Sequence, residues 1–264
     1  MLIKVGIDFT GLISKSLSQH TKEIITNSQS ETLTFYFDNF IGNQNIRSHN
    51  LQSSHNVKIN TIDHSKEEIF FIRSIFNKLD ELIDLDFSET SNSSDSNINF
   101  HSVLESSTFD ENTLGEVIKQ KNHTKSWWDI LWKNKSESKA LQIEEKYTLI
   151  HEIGHSLGLS HPFESPTNDM WDTKDTVMSY NFSKPDWNNW FSEHDIEALI
   201  NIWGREDDNG FLKFNLTSGS YKFIKKKDNK YFLEHENQKV DITGLSYVKF
   251  SDKTYYVKKD IIKI

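Results

Sequence analysis

The sequence predicts an α/β (α+β) domain with strands and long helices, followed by a small all-β module. Three observations lead there. Apolar residues recur with helical period in three stretches, 65–83, 143–157 and 192–204. Short runs rich in β-branched and aromatic residues lie before and between those helices. Beyond residue 210 the helical pattern stops, and only short strand-like runs separated by turn residues remain.

Residues 1–32 are polar and mixed; they read either as a pro-segment or as part of the main domain, an N-terminal strand and helix. Leu33, Phe35 and Phe37 alternate as in a strand. Residues 43–60, rich in Asn, Ser and His, read as loop closing on a short strand at Val57–Asn60. Ser65 and Glu68 have capping-box spacing, and Ile69, Ile72, Phe76, Leu79 and Ile83 then mark one face of a helix. The pattern lasts about two heptads, which indicates a core helix rather than a coiled coil. Residues 88–97 read as loop, and Asn97–Val103, Leu114–Lys119 and Trp127–Trp132 as strands.

A second helix spans Ile143–Leu157, with Ile143, Tyr147, Ile150, Ile153 and Leu157 facing the core. A third starts at the N-cap Ser192, with Asp195 at N3 and a stripe of Ile196, Leu199, Ile200 and Trp203, and stops at Gly204. Glu206–Gly210 reads as an acidic linker, with calcium only a minor alternative to plain solvation. The domains are therefore set at 33–205 and 211–264. Strands in the second are expected at Phe211–Leu216, Tyr221–Ile224, Tyr231–Leu233, Tyr247–Phe250 and Tyr255–Val257.

The chemistry is concentrated in His151-Glu152-Ile153-Gly154-His155-Ser156-Leu157-Gly158-Leu159-Ser160-His161, which reads HExxHxxGxxH. A chance match in a chain of this composition is on the order of one in 20,000. Positions i and i+4 share a helix face, so His151 and His155 can meet at one ion. Glycine tolerates the left-handed conformation that ends many helices, so Gly158 lets the chain return with His161 as a third ligand. Three histidines and an open position are a catalytic zinc set. Glu152, beside the first ligand, is placed to take a proton from a zinc-held water and pass it to a leaving amine. The remaining histidines (His20, His49, His55, His64, His101, His123, His194 and His235) lack ligand spacing and read as surface or packed residues.

The motif resembles the metzincin metallopeptidases, whose signature is completed by a Met-turn. Asp175-Thr176-Val177-Met178-Ser179-Tyr180 matches that turn, seventeen residues past His161. Pro162 and Tyr180 are similar to the serralysin branch of secreted bacterial zinc proteases. The likeness reaches roughly over 33–204, including Phe191–Gly204 as a final helix, with Trp203 where a tyrosine is usual. It implies a metzincin-like catalytic domain, its sheet mixed with an antiparallel edge strand, and Met178 as an apolar floor below the metal. It also implies that Tyr180 is a labile fifth ligand that stabilises the transition state. Leu114, Gly115, Glu116, Val117 and Ile118 match the antiparallel edge strand above the zinc, which holds a peptide or protein substrate by strand addition. The glycine-rich calcium-binding repeats of serralysins are missing from the sequence.

A net charge of −9, with no basic tract longer than Lys225-Lys226-Lys227, argues against nucleic acid. No apolar run approaches membrane-spanning length. With no cysteine, neither disulfides nor a cysteine zymogen switch can form. Lys4 and Asp8 interrupt the apolar start, so no N-terminal secretory signal is read. Residues Ile242–Thr254 resemble the end segment of type I secretion substrates, which would make the protein extracellular by that apparatus. The expected activity is that of a secreted zinc endopeptidase. Two alternatives stand beside it: a zinc hydrolase of a non-protein amide, and a non-catalytic binding protein on the same scaffold. The intact Glu152 argues against the second. Trp187 and Trp190, between Tyr180 and Phe191, hint at an aromatic wall for an apolar substrate side chain.

Overall fold

The structure, a computed structural model, describes residues 7–28, 31–50, 53–134, 141–183, 189–206, 211–214, 216–226, 230–236, 238–243 and 247–256. The chain divides into two compact units, Met1–Gly204 and Arg205–Ile264.

The first unit is built on seven strands: β1 (Thr32–Phe37), β2 (Gly42–Asn50), β3 (Ser53–Thr61), β4 (Asp86–Glu89), β5 (Ile98–Ser106), β6 (Gly115–Lys121) and β7 (Ser126–Lys133). β5 is central. It pairs in parallel with β1 on one side and β7 on the other, and β1 pairs in parallel with β4. β6 pairs antiparallel with β7 and, among the described residues, with no other strand. The sheet is thus mixed, with an antiparallel edge at β6.

Four α-helices pack on the inner face: α1 (Lys15–Ser28), α2 (Lys66–Asp80), α3 (Ile143–Ser156) and α4 (Glu193–Trp203). One core joins Ile24, Phe76, Ile150, Ile153 and Leu199 from the helices to Phe35, Phe100, Trp128, Ile130 and Trp132 from the strands. Alternation along β5 and β7 turns Phe100, Trp128, Ile130 and Trp132 inward, which is why two tryptophans four positions apart are both fully buried. α2 begins at the expected capping box, with the Ser65 side chain on the Glu68 N–H and the Glu68 carboxylate on the Ser65 N–H. α4 repeats the device with Ser192 and Asp195.

Several expectations need correction. Residues 43–50 and 53–60 belong to the antiparallel pair β2–β3, nine pairs long, rather than to a loop. Its polar residues outnumber the apolar ones, but Val57 and Ile59 alternate and are buried. With Ile46 they press on Val103, Ile118 and Leu131, closing a second small core on the outer face of the sheet. Asp86–Glu89 adds the parallel edge strand β4. Ile143, in the first turn of α3, is 45% exposed rather than core-facing. Residues 7–28 supply a 3-10 turn at Phe9–Leu12 and helix α1, and bury Ile7, Leu12 and Ile24 in the main core.

The second unit holds two three-stranded sheets. β9 (Lys222–Lys225), β10 (Tyr231–His235) and β11 (Gln238–Asp241) are antiparallel. β12 (Tyr247–Lys249) pairs in parallel with β8 (Phe211–Lys213) and antiparallel with β13 (Thr254–Tyr256). Tyr231, Leu233, Ile242, Val248 and Phe250 form its core. β11 adds to the strands expected from the sequence. Residues 207–210 of the acidic linker, 244–246 of the C-terminal string, Val257 and Trp187 lie outside the described residues. Among the described residues no helix is long and apolar enough to cross a membrane.

Candidate metal and catalytic site

α3 carries His151 and His155 one turn apart, with all residues from Tyr147 to Gly154 buried. The helix ends at Leu157, and Gly158 adopts φ +103°, a value L side chains rarely take. A Cβ there would also lie 2.8 Å from Ser18 Cβ. This turn returns the chain so that ligand atoms of His151, His155 and His161 all fall within 4.8 Å of one another. Among the described residues it is the only such group of three or more His, Cys, Asp or Glu.

The rings are oriented by backbone carbonyls. Nδ1 of His151 is 2.8 Å from the Val177 oxygen, and Nδ1 of His155 is 2.9 Å from the Leu159 oxygen. A carbonyl only accepts, so each Nδ1 carries the proton and each Nε2 keeps its lone pair. Nε2 of His151 and of His161 is buried without a hydrogen-bond partner. Burial, with the other two imidazoles adding to it, holds the His151 pKa well below its ordinary value. Burial and His161 push His155 down to about 4, and burial lowers His161. The three rings are therefore neutral, as metal ligation requires. Buried, unpartnered, neutral nitrogens converging on one point fit a zinc ion.

Glu152 is buried next to this point, and burial followed by the Glu116 carboxylate raises its pKa to about 8. The edge strand passes close by. A Cβ on Gly115 would meet Thr148 Cγ2 at 2.5 Å and Glu152 Cγ at 2.9 Å, so only glycine lets β6 approach α3 so closely. Leu114 and Gly115 join His151, Glu152, Tyr180 and Phe182 in lining a cavity of about 430 Å³. Val117 lines a second cavity on the other side of the histidines. Glu116 hydrogen-bonds Thr108. The Ile118 side chain is buried in the outer-face core, so what it presents along the edge is its backbone.

The turn at Met178 packs on α3. Met178 is fully buried, its sulfur packed against α3 at Gly154, where an added Cβ would come within 3.0 Å of it. Tyr180 is 49% exposed, with ring centroids 5.6 Å from His151 and 4.9 Å from His161. Burial of its inner side, then the Glu152 charge, raises its pKa.

Two contributors were not read from the sequence. Asp195, assigned only to the start of α4, accepts hydrogen bonds from the Val177 N–H at 2.9 Å, the Ser192 N–H at 2.8 Å and the Thr176 hydroxyl. It thereby fixes the residue whose carbonyl orients His151 and also accepts from the Tyr147 hydroxyl at 2.6 Å. The segment before α1 clasps the glycine turn: Ser14 N–H donates to Gly158 O, and Ser160 N–H to Leu12 O. Neither has a local signal, because each depends on contacts across more than a hundred residues or between separate elements.

The described acidic groups form no second cation cluster, so calcium gains no support. The sequence model of the matrixin family matches residues 47–204. No curated protein matches the chain.

Proposed function

Because the chain belongs to the matrixin family, a metzincin-type group of zinc metallopeptidases, we propose that it is an endopeptidase in which Glu152 is the general base and Tyr180 stabilises the transition state. The observation that carries this reading is the convergence of three neutral imidazoles beside a buried carboxylate, under an open strand edge. His151, His155 and His161 would hold the zinc. Zinc bound there supplies Lewis acidity, polarising a carbonyl and acidifying a water.

The rest belongs to the chain's own side chains. Glu152 accepts a proton at a carboxylate oxygen and later delivers it to the departing amine nitrogen. Glu152 is buried in the wall of the cavity that also exposes His151 and Tyr180, the position such a proton carrier needs. Tyr180 donates its phenolic O–H to the oxygen that gains charge. β6 binds the peptide backbone as an added strand. Laid antiparallel to β6, a peptide runs from Val117 toward Gly115, so the 430 Å³ cavity takes a side chain on the C-terminal side of the cut. Tyr147, Tyr180 and Phe182 in its wall favour an apolar residue there. Pro162 and Tyr180 favour a serralysin-like branch, and the Ile242–Thr254 string favours export through a type I system.

The test is digestion of unfolded casein and a peptide library by the zinc-loaded protein. Cleavage abolished by a chelator is expected. Glu152→Ala should keep about one zinc per chain and lose roughly 10²–10⁴-fold in turnover. A variant that cleaves near the wild-type rate would remove Glu152 from the mechanism. Zinc binding with no peptide cleaved would favour a non-protein amide substrate or a binding role.

A further inference from the structure

The cavity on the His155 and His161 side of the site has a volume of about 290 Å³. Its far wall comes from Ser14, Ser16 and Leu17 of the N-terminal segment, its near wall from Val117, and its rim from Glu164. Glu164 reaches that rim through an uncommon backbone. Phe163 and Glu164 both have positive φ, 50° and 59°, a conformation that costs energy in non-glycine residues. The turn is held by the Glu164 N–H on His161 O at 2.9 Å and by the Phe163 ring against Gly11, where a Cβ would lie 2.5 Å away.

The charges nearby are unequally matched. Lys119 of β6 is engaged by Ser16, through Oγ at 2.6 Å and the carbonyl at 3.0 Å. Lys121 pairs with Glu23 at 3.1 Å. Among the described residues, Glu164 is exposed and its carboxylate forms neither an ion pair nor a side-chain hydrogen bond. It is the one charged carboxylate on the cavity's rim. An extended peptide antiparallel to β6 enters the site past this cavity, with its residues N-terminal to the cut.

We propose that Glu164 is a specificity-determining residue, and that this cavity selects a lysine or arginine side chain on the N-terminal side of the scissile bond. The cavity gives room for the aliphatic stem and the rim carboxylate meets the cation. The proposal rests on the peptidase reading above. It is tested with the zinc-loaded full chain on peptide pairs that differ only by Lys or Arg against Gln or norleucine, at each of the three positions before the cut. The basic peptide should have a kcat/KM about 5-fold higher at one position, the upper end for a partly exposed ion pair. Glu164→Gln should abolish that ratio, and Glu164→Lys should turn it toward Glu or Asp. With the wild type alone, the ratio should shrink in high salt. Cleavage without a basic preference, or a preference that survives in Glu164→Gln or in salt, overturns the proposal and leaves the peptidase reading standing. If zinc is bound and no peptide is cleaved, the peptidase reading falls first and this one with it.

Discussion

The inner face of the sheet is covered by four helices and packed with aromatic and aliphatic side chains, whereas the outer face is covered by a hairpin and carries buried charge. On the inner face, Phe35, Phe76, Phe100 and Trp132 make one continuous aromatic group. On the outer face His101 stands between two carboxylates, with Nδ1 2.9 Å from Asp38 and Nε2 3.3 Å from Asp129. Asn99 and Gln120 donate to Asp129, and Gln44 of the hairpin donates to Asp38. Burial alone would lower the His101 pKa. The hydrogen bonds and charges of Asp129 and Asp38 outweigh it and push the value up to about 9. The two faces show that a sheet can be closed by apolar area or by a matched ionic group, and that the two closures fail under different conditions.

The largest effect is expected on the outer face. His101→Ala leaves Asp38 and Asp129 without the cation between them, and breaking a buried ionic group in this way costs about 3–5 kcal/mol. The wild type supplies a second route to the same result. The folded-state pKa lies above the ordinary 6.5, so the imidazolium's contribution is complete below pH 6.5 and disappears as pH rises through about 9. Over that window the unfolding free energy should fall by about 3 kcal/mol through this group. Denaturant melts at fixed zinc concentration across pH 6–10 check both. A flat profile, or a His101→Ala variant as stable as the wild type, would mean that the hairpin is held by Val57 and Ile59 alone.

On the inner face, the most telling residue touches no ligand. Asp195→Ala removes the carboxylate oxygen that receives both the Val177 and the Ser192 N–H. The carbonyl that orients His151 is then loosened. Loss of such a support lowers zinc affinity by about 10–100-fold. Competition with a chromophoric chelator measures this directly. Unchanged affinity would show that α3 alone fixes the ring.

The same contrast separates what could be read in advance from what could not. The metal constellation was legible because its spacing is local: one helix turn sets His151 against His155, and one glycine sets His161. Helices α2, α3 and α4 are legible because their apolar residues keep period 3.6 and their caps are adjacent in sequence, whereas α1 lies in a polar, mixed stretch that leaves its role open. The β2–β3 pair is not legible, because its composition is that of a loop and only Val57 and Ile59 carry the buried alternation. His101 reads as a surface or packed residue because its partners sit 63 and 28 positions away, one just past the end of β1 and one on β7.

The smallest expected effect compares the faces by one methyl group each. Ile59 on β3 and Ile153 on α3 are both buried, at 2% and 0% exposure, so valine at either position should cost about 0.5–1.5 kcal/mol in stability. Their consequences for turnover should differ. Ile153 lies between His151 and His155 on the helix that carries the ligands and Glu152, so slack there moves reacting groups. Small misplacements at a reacting centre are costly, and a fall of about threefold or more in kcat/KM is expected. Ile59 lies across the sheet in the cluster with Val103, Ile118 and Leu131, and reaches the site only through the backbone of β6. Ile59→Val should therefore melt earlier while cleaving at the wild-type rate below its melting range. Equal losses of kcat/KM in the two variants would show that the edge strand transmits outer-face packing into the site, and that the faces act as one unit.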